Sequence, residues 1–205
     1  MPAHERIFRQ LRNDVMYGEI EPNQALTIRG IAEQFNASMT PAREALRKLS
    51  AEGALRSTYS GRYVANALSA ERVEELSTLR SLLEPELASR ALPRVHNALI
   101  ERLQAINTSI EQRVSRGEKH LYIRGNLEFH RALYLRAQSP AMLALVETIW
   151  LQLGPTLRQL YETQNRTPNI DMHRRIIGAL KAGDEPGLRL AIRADVTGAL
   201  RMILT

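Results

Sequence analysis

Cysteine is absent from the 205 residues, and aromatic side chains are few: six tyrosines, three phenylalanines and one tryptophan, 5% of the chain. The first absence excludes disulfide scaffolds and cysteine-ligated zinc or iron–sulfur centres, and it agrees with a reducing compartment. The second removes the stacking platforms, aromatic residues interleaved with basic ones, that single-stranded nucleic acid requires. Long apolar runs are missing too. The longest apolar-rich stretch, Met142 to Leu153, is broken by Glu147 and Gln152, and the N-terminus carries His4, Glu5, Arg6, Arg9, Arg12 and Asp14 among its apolar residues. Neither pattern is a membrane span or a signal peptide, so a cytoplasmic location with no membrane partner is expected.

What is present is length and positive charge. A chain of this size buries roughly 70% of the surface its unfolded state exposes, so it needs no metal or disulfide merely to fold. It has room for one large domain or two small ones. The 28 Lys+Arg against 22 Asp+Glu leave a net charge of +6, which invites an anionic partner. The surplus is not concentrated, however: residues 1–66 hold nine Lys+Arg and seven Asp+Glu, the remainder 19 and 15. Nucleic-acid recognition must therefore rest on where particular arginines stand, and duplex is the form that the composition favours.

Apolar residues at Ile7, Phe8, Leu11, Val15 and Met16 mark one face of a first helix, closed by Gly18. A short second helix runs from Thr27, its N-cap, to about Phe35, and Asn36-Ala37-Ser38 makes the turn. A third starts at Thr40, with Pro41 in its first position, and ends at Gly53, its inward face being Ala42, Ala45, Leu46 and Leu49. The period then changes. Ala54 to Thr58 and Arg62 to Ala65 are strand-like segments around Tyr59-Ser60-Gly61, a hairpin. Three helices and a hairpin predict a winged helix-turn-helix over residues 1–66.

After a linker at 67–69, residues 70–205 read as an all-helical bundle of six to seven helices. Ser69 caps the first run, which Pro85 kinks or ends; further runs span Arg94 to Arg116, His120 to Ala137, Pro140 to Leu153, Pro155 to Gln164, Ile170 to Ala182 and Glu185 to Leu204. The joins carry Pro93, Gly117, Pro140, Gly154-Pro155, Pro168 and Gly183.

A helix in the major groove presents its first residues to base edges while the helix start and wing touch phosphates. Arg43 is placed for a two-pronged contact to guanine, with Arg47 one turn further on. Ser38 and Thr40 bring hydroxyls and backbone N–H groups to a helix start, a natural phosphate site. Arg29 in the preceding helix and Arg62 in the wing face the backbone, and Gly61 lets the wing tip approach closely. Glu44 with Lys48 is an ordinary i,i+4 pair.

The run Ser38-Met39-Thr40-Pro41-Ala42-Arg43-Glu44-Ala45-Leu46-Arg47, continuing through Ala51-Glu52-Gly53 to Gly61, resembles the N-terminal domain of GntR-family transcription regulators. The remainder is similar to the helical FCD ligand-binding domain of the FadR subgroup. The resemblance implies a homodimer on an inverted-repeat DNA operator, usually a repressor, governed by a small organic-acid effector. The family commonly has arginine where Met39 stands and an acidic residue where Gly30 stands, so the operator is expected to differ from the usual one or to be bound more weakly.

Asn126 and His130, four apart, share one helical face; His173 opens a later helix and Asp195 lies in the last. Spacing alone is weak support for a metal site. The resemblance adds to it, since many FCD domains hold a divalent metal with one Asp and three His. By position Asn126 stands for the Asp, His130 and His173 match, and Asp195 stands for the last His. Zinc, nickel or manganese suits such a nitrogen and oxygen set. Arg80 matches a recurrent arginine of the first FCD helix, where it clamps an effector carboxylate or pairs with Glu84. Two other readings stay open: a DNA-binding dimer whose pocket no longer switches, and a metal-dependent hydrolase with Glu128 as base. Glu128 should point away from the ligand face, and no His-Glu-x-x-His spacing supports an enzyme.

Overall fold

The computed structural model describes residues 1–118, 121–163 and 170–204. The expected helix start at His120, helix end at Gln164 and break at Pro168 lie outside the described residues. The chain divides into two compact units: Met1–Leu68 with Trp150–Gln159, and Ser69–Ile149 with Leu160–Thr205.

In the first unit, α1 (Ala3–Met16) buries Ile7, Phe8, Leu11, Val15 and Met16, the stripe that the sequence period predicts. The second helix, α2 (Ile28–Gln34), is capped by Thr27, whose hydroxyl accepts from the Gly30 N–H at 3.0 Å. The third, α3 (Met39–Ala51), buries Ala42, Ala45, Leu46 and Leu49. It begins one residue before the expected Thr40, with Ser38 as N-cap, which puts Pro41 third in the helix. That position costs nothing, because the first four helical N–H groups have no partner within the helix. Arg12 bonds Glu52 at 3.0 Å and so ties α1 to the end of α3.

The hairpin is β2 (Leu55–Ser57) and β3 (Tyr63–Ala65), in antiparallel register with Arg56 opposite Val64. The sheet has one more strand than the sequence reading, β1 (Ala25–Leu26), which pairs with the other side of β3 to give the order β1-β3-β2. Two residues are too few to show an alternating pattern, so only the fold reveals this strand.

The second unit is built on α4 (Ala70–Ala91), α5 (Asn97–Ser115), α6 (Leu121–Tyr134), α8 (Asp171–Ala182) and α9 (Glu185–Leu204), with the two ends of α7 (Pro140–Thr163). Here α4 packs on α9, α5 on α6, and α8 on both α5 and α9. Ser69 caps α4 as expected. Neither proline ends its helix. Pro85 lies inside a continuous α4 and Pro155 inside a continuous α7, so the two segments expected to meet at Gly154-Pro155 are one helix. The lost backbone bond is offset by packing: the faces around each proline are buried, with Glu84, Leu87 and Ala88 in α4 and Leu151, Leu153 and Leu157 in α7.

The middle of α7 belongs to the first unit, although the sequence reading placed it in the helical domain. Gly154 explains how it fits. A Cβ there would lie 2.2 Å from the Val15 carbonyl oxygen and 2.6 Å from that of Met16. Arg158 then donates to the Gly18 and Glu19 carbonyls at 2.8 and 3.0 Å, satisfying the chain just after α1. Among the described residues no helix is long and apolar enough to cross a membrane.

Candidate functional site

Outward-facing α3 residues include Met39, Thr40, Arg43, Glu44, Arg47 and Lys48. Two of them turn toward α1: Glu44 lies 3.9 Å from His4, and the Lys48 ammonium sits 4.0 Å above the Phe8 ring. The guanidinium groups of Arg43 and Arg47, four apart, have no ion pair or hydrogen bond among the described residues, and neither does that of the wing's Arg62, whose backbone is held by Thr58. Arg29 differs, being held by Glu33 at 2.8 Å, so part of its charge is already met. Ser38 makes no capping hydrogen bond and Thr40 is exposed, so both hydroxyls remain available at the helix start. Gly61 has φ +75 at the wing tip, a conformation that glycine adopts without strain, with nothing within 4 Å of where a Cβ would be. Beside it Tyr59 is wholly exposed. The sequence reading treated Tyr59 only as part of the turn; an aromatic at a hairpin tip is the signal that could have singled it out.

In the second unit, α6, α8 and α9 bring Asn126, His130, His173 and Asp195 together. His130 Nε2 lies 2.8 Å from Asp195 Oδ2, and His173 Nε2 lies 2.9 Å from Asn126 Oδ1. One ligand atom from each of His130, His173 and Asp195 falls within 4.8 Å of the others. Both imidazoles are fully buried, and the ring of Phe129 stacks on His173 at 4.1 Å.

Groups behind the histidines set the ring protons. Asn107 donates its Nδ2–H to Glu111 at 2.7 Å, which turns its Oδ1 to His173 Nδ1 at 2.9 Å. His173 must then donate from Nδ1, leaving the Nε2 lone pair facing Asn126. A second proton is disfavoured because burial, with His130 adding to it and Asp195 opposing, pushes this imidazole down to about 4. Tyr122 donates to the same Asn126 oxygen at 3.1 Å, so lone pair meets lone pair.

The second relay has the same form. Tyr134 donates to Glu84 at 2.9 Å and lies 3.1 Å from His130 Nδ1, which therefore donates to it. Burial, then Glu84, holds the Tyr134 hydroxyl well above its usual range, so it stays a donor. The His130 Nε2 is left facing the Asp195 carboxylate. Burial alone would raise Asp195; the His130 hydrogen bond and the charges of His130, His173 and Arg80 bring it below the ordinary carboxylate value.

His130 Nε2 faces the Asp195 carboxylate and His173 Nε2 faces the Asn126 oxygen, so two imidazole nitrogens and two oxygens converge, and a divalent cation placed among them would meet all four. The donors are neutral imidazoles, a carboxylate and an amide oxygen, each imidazole held from behind through Nδ1, and this set fits zinc, nickel or manganese. Nothing softer is offered, since the chain has no thiol.

Arg80 is 4% exposed and joins the second relay. Its Nε bonds Glu84 Oε1 at 2.5 Å, as one of the two sequence readings has it. Burial opposes its charge, but Glu84 outweighs this and the pKa lies above the usual guanidinium value. Its Nη2 is buried with no hydrogen-bond partner among the described residues. Glu128, by contrast, is exposed on the solvent side of α6, so the hydrolase reading lacks its base. Sequence reasoning missed Asn107, Tyr122 and Tyr134. Tyr134 follows His130, Tyr122 precedes Asn126 and Asn107 precedes Glu111, each by four residues, but spacing alone cannot say which of many such pairs turn inward.

A winged helix-turn-helix with exposed arginines on its third helix, joined to a helical unit with a buried polar site, is the build of a DNA-binding transcription regulator. Comparison with known proteins agrees. Residues 3–62 match the family described as bacterial regulatory proteins, gntR family, and residues 75–198 match the FCD domain. The chain belongs to the gntR family and carries an FCD domain. It is 28% identical over 193 residues to the HTH-type transcriptional regulator McbR of Escherichia coli, covering 91% of this chain and 87% of that one. It is 29% identical to the HTH-type transcriptional regulator LutR of Bacillus subtilis, covering 88% and 91%. The solved structure of E. coli McbR/YncC superposes with a TM-score of 0.90 at 24% identity, covering 100% of both chains. A transcriptional regulator from Rhodococcus sp. RHA1 gives 0.81 at 19% identity, over 98% and 97%. These relatives are regulators, not enzymes, and so is this chain.

Proposed function

We propose that the chain is a ligand-responsive repressor that binds an inverted-repeat operator as a homodimer in the cytoplasm, and whose DNA affinity is set by a small organic acid held in the FCD domain. The observation that carries the sensory half is the unmet Nη2 donor of Arg80, buried beside the relay that orients His130. A buried donor without a partner costs about 1–3 kcal/mol, more when charged, so it is a place where an incoming carboxylate gains what the free protein lacks. Asn126, His130, His173 and Asp195 would hold a divalent metal, which when bound supplies a Lewis-acid anchor for the same carboxylate. Arg80 orients the acid, Glu84 fixes Arg80, and the Glu84–Tyr134–His130 chain links acid binding to the ligand face of His130.

On the DNA side, Arg43 and Arg47 read base edges from α3, while Ser38, Thr40, Gly61 and Arg62 position the backbone and Arg29 contributes less because Glu33 holds it. A switch requires that the acid prefer one dimer geometry, since equal affinity for both shifts nothing. The test is elemental analysis of protein purified without a metal-binding tag, followed by a thermal-shift screen of mono- and dicarboxylic acids with zinc, nickel or manganese. Acid and metal together should raise the melting temperature more than either alone. A melting temperature that ignores every acid and metal would leave a DNA-binding dimer with a degenerate pocket.

A further inference from the structure

We propose that Met39 reads the 5-methyl group of a thymine in the major groove and so sets the base preferred at one position of each operator half-site. The inference rests on the reading that α3 enters that groove. Met39 is the first residue of α3 and is 53% exposed. Arg43 and Arg47 follow it at intervals of four, which places all three along one face. This face is the part of α3 that the protein leaves unused, because Glu44 and Lys48 are drawn to His4 and Phe8 of α1.

Elimination decides what Met39 can contact there. Base pairs present nitrogen and oxygen acceptors and amino donors to the major groove, and one apolar group, the thymine C5-methyl. A thioether side chain has no strong donor or acceptor, so beside any other base edge it would strip water from a polar group without replacing the bond. Against the methyl it buries apolar surface on both sides, and its unbranched, flexible chain adapts to the contact. Four residues of helix rise about 6 Å, or about two base-pair steps at 3.4 Å. The thymine should therefore stand about two base pairs from the guanine that Arg43 reads.

The experiment is in vitro selection from random duplex DNA with the full chain, as wild type, Met39→Ala, Met39→Arg and Arg43→Ala, followed by titration on the selected duplex with the thymine replaced by deoxyuridine. Wild type should enrich thymine at the stated distance, and deoxyuridine should weaken its binding about fourfold per half-site, the value of about 0.8 kcal/mol for one buried methyl group. Met39→Ala should bind both duplexes equally, and Met39→Arg should replace thymine by guanine at that position. Wild type binding the thymine and deoxyuridine duplexes equally, enriching no base there, or Met39→Ala keeping the discrimination, overturns the proposal while the role of Arg43 stands. If Arg43→Ala instead selects the same sequences as wild type, α3 is not in the groove and both readings fall. Side chains at 39 and 43 are exposed, so circular dichroism should show every variant folded.

Discussion

Asn107 decides which edge of His173 faces the interior of the second unit. Its Oδ1 lies 2.9 Å from His173 Nδ1, and its own Nδ2 is taken by Glu111 at 2.7 Å, so neither amide atom is free to turn. Glu111 is braced in turn by Arg174 at 2.9 Å, at the edge of an open cavity of about 340 Å³ between α5 and α8. The orientation of a deeply buried imidazole is thus fixed from the surface inward.

Replacing Asn107 by leucine should leave the His173 ring free to present either nitrogen. Outer partners of this kind carry about 10–100-fold in metal affinity. Asn107→Leu should therefore weaken zinc or nickel binding by that factor in a chelator competition, whereas Asn107→Asp, which keeps an acceptor at the same place, should recover part of it. Equal affinity in all three proteins would remove the positioning role.

Arg80→Met removes the guanidinium counter-charge from a carboxylate that is 0% exposed, Glu84, which also accepts from the Tyr134 hydroxyl. Breaking a buried pair from one side costs about 3–5 kcal/mol. Urea unfolding should show a loss of that order for Arg80→Met and recovery of most of it in Arg80→Met/Glu84→Leu, whose apolar pair needs no desolvated charge. A double variant no more stable than the single one would mean that Glu84 is held by other partners.

Gly154→Ala should destabilise the first unit even though alanine ordinarily favours a helix by about 1 kcal/mol. The added Cβ would meet two backbone oxygens at 2.2 and 2.6 Å, and backbone cannot swing aside as a side chain can. Overpacking of this kind costs about 1–3 kcal/mol or more. Thermal unfolding checks the sign: a raised melting temperature would show that α7 does not press on the end of α1.

Arginine substitutions should separate the paired from the unpaired. Arg43→Ala should lower operator affinity by about 1–3 kcal/mol per half-site while non-specific binding survives. Arg29→Ala, which also frees Glu33, should change affinity less and act about equally on all sequences. Anisotropy titrations on operator and scrambled duplexes distinguish them.

Sequence legibility followed periodicity. The buried stripe of α1, the inward face of α3 and the caps Thr27 and Ser69 could be read because each depends on residues within a few positions of one another. The continuity of α4 and α7 could not. Proline argues locally for a break, and only the burial around Pro85 and Pro155 overrides it. At the buried site, the i,i+4 pair Asn126 and His130 was visible, and the resemblance joined His173 and Asp195 to it. The groups that fix their protons were not visible, because Asn107 meets His173 from 66 residues away and Glu84 meets Tyr134 from 50. That Arg80 pairs with Glu84 also needed the fold, since only the structure shows both side chains turned inward.

The central claim, that acid binding in the FCD domain controls DNA binding, is tested most directly by fluorescence anisotropy of the full chain on its own upstream DNA. Titrations at two salt concentrations, with and without a panel of small carboxylic acids and divalent metals, are run on wild type and Arg80→Lys. For wild type, at least one acid should shift operator affinity by about 5–150-fold, the usual range of coupling between sites. The salt slope should show several phosphate contacts, and Arg80→Lys should bind DNA normally but lose most of the acid response. Operator affinity unmoved by every acid and metal, or a response that Arg80→Lys keeps in full, would contradict it.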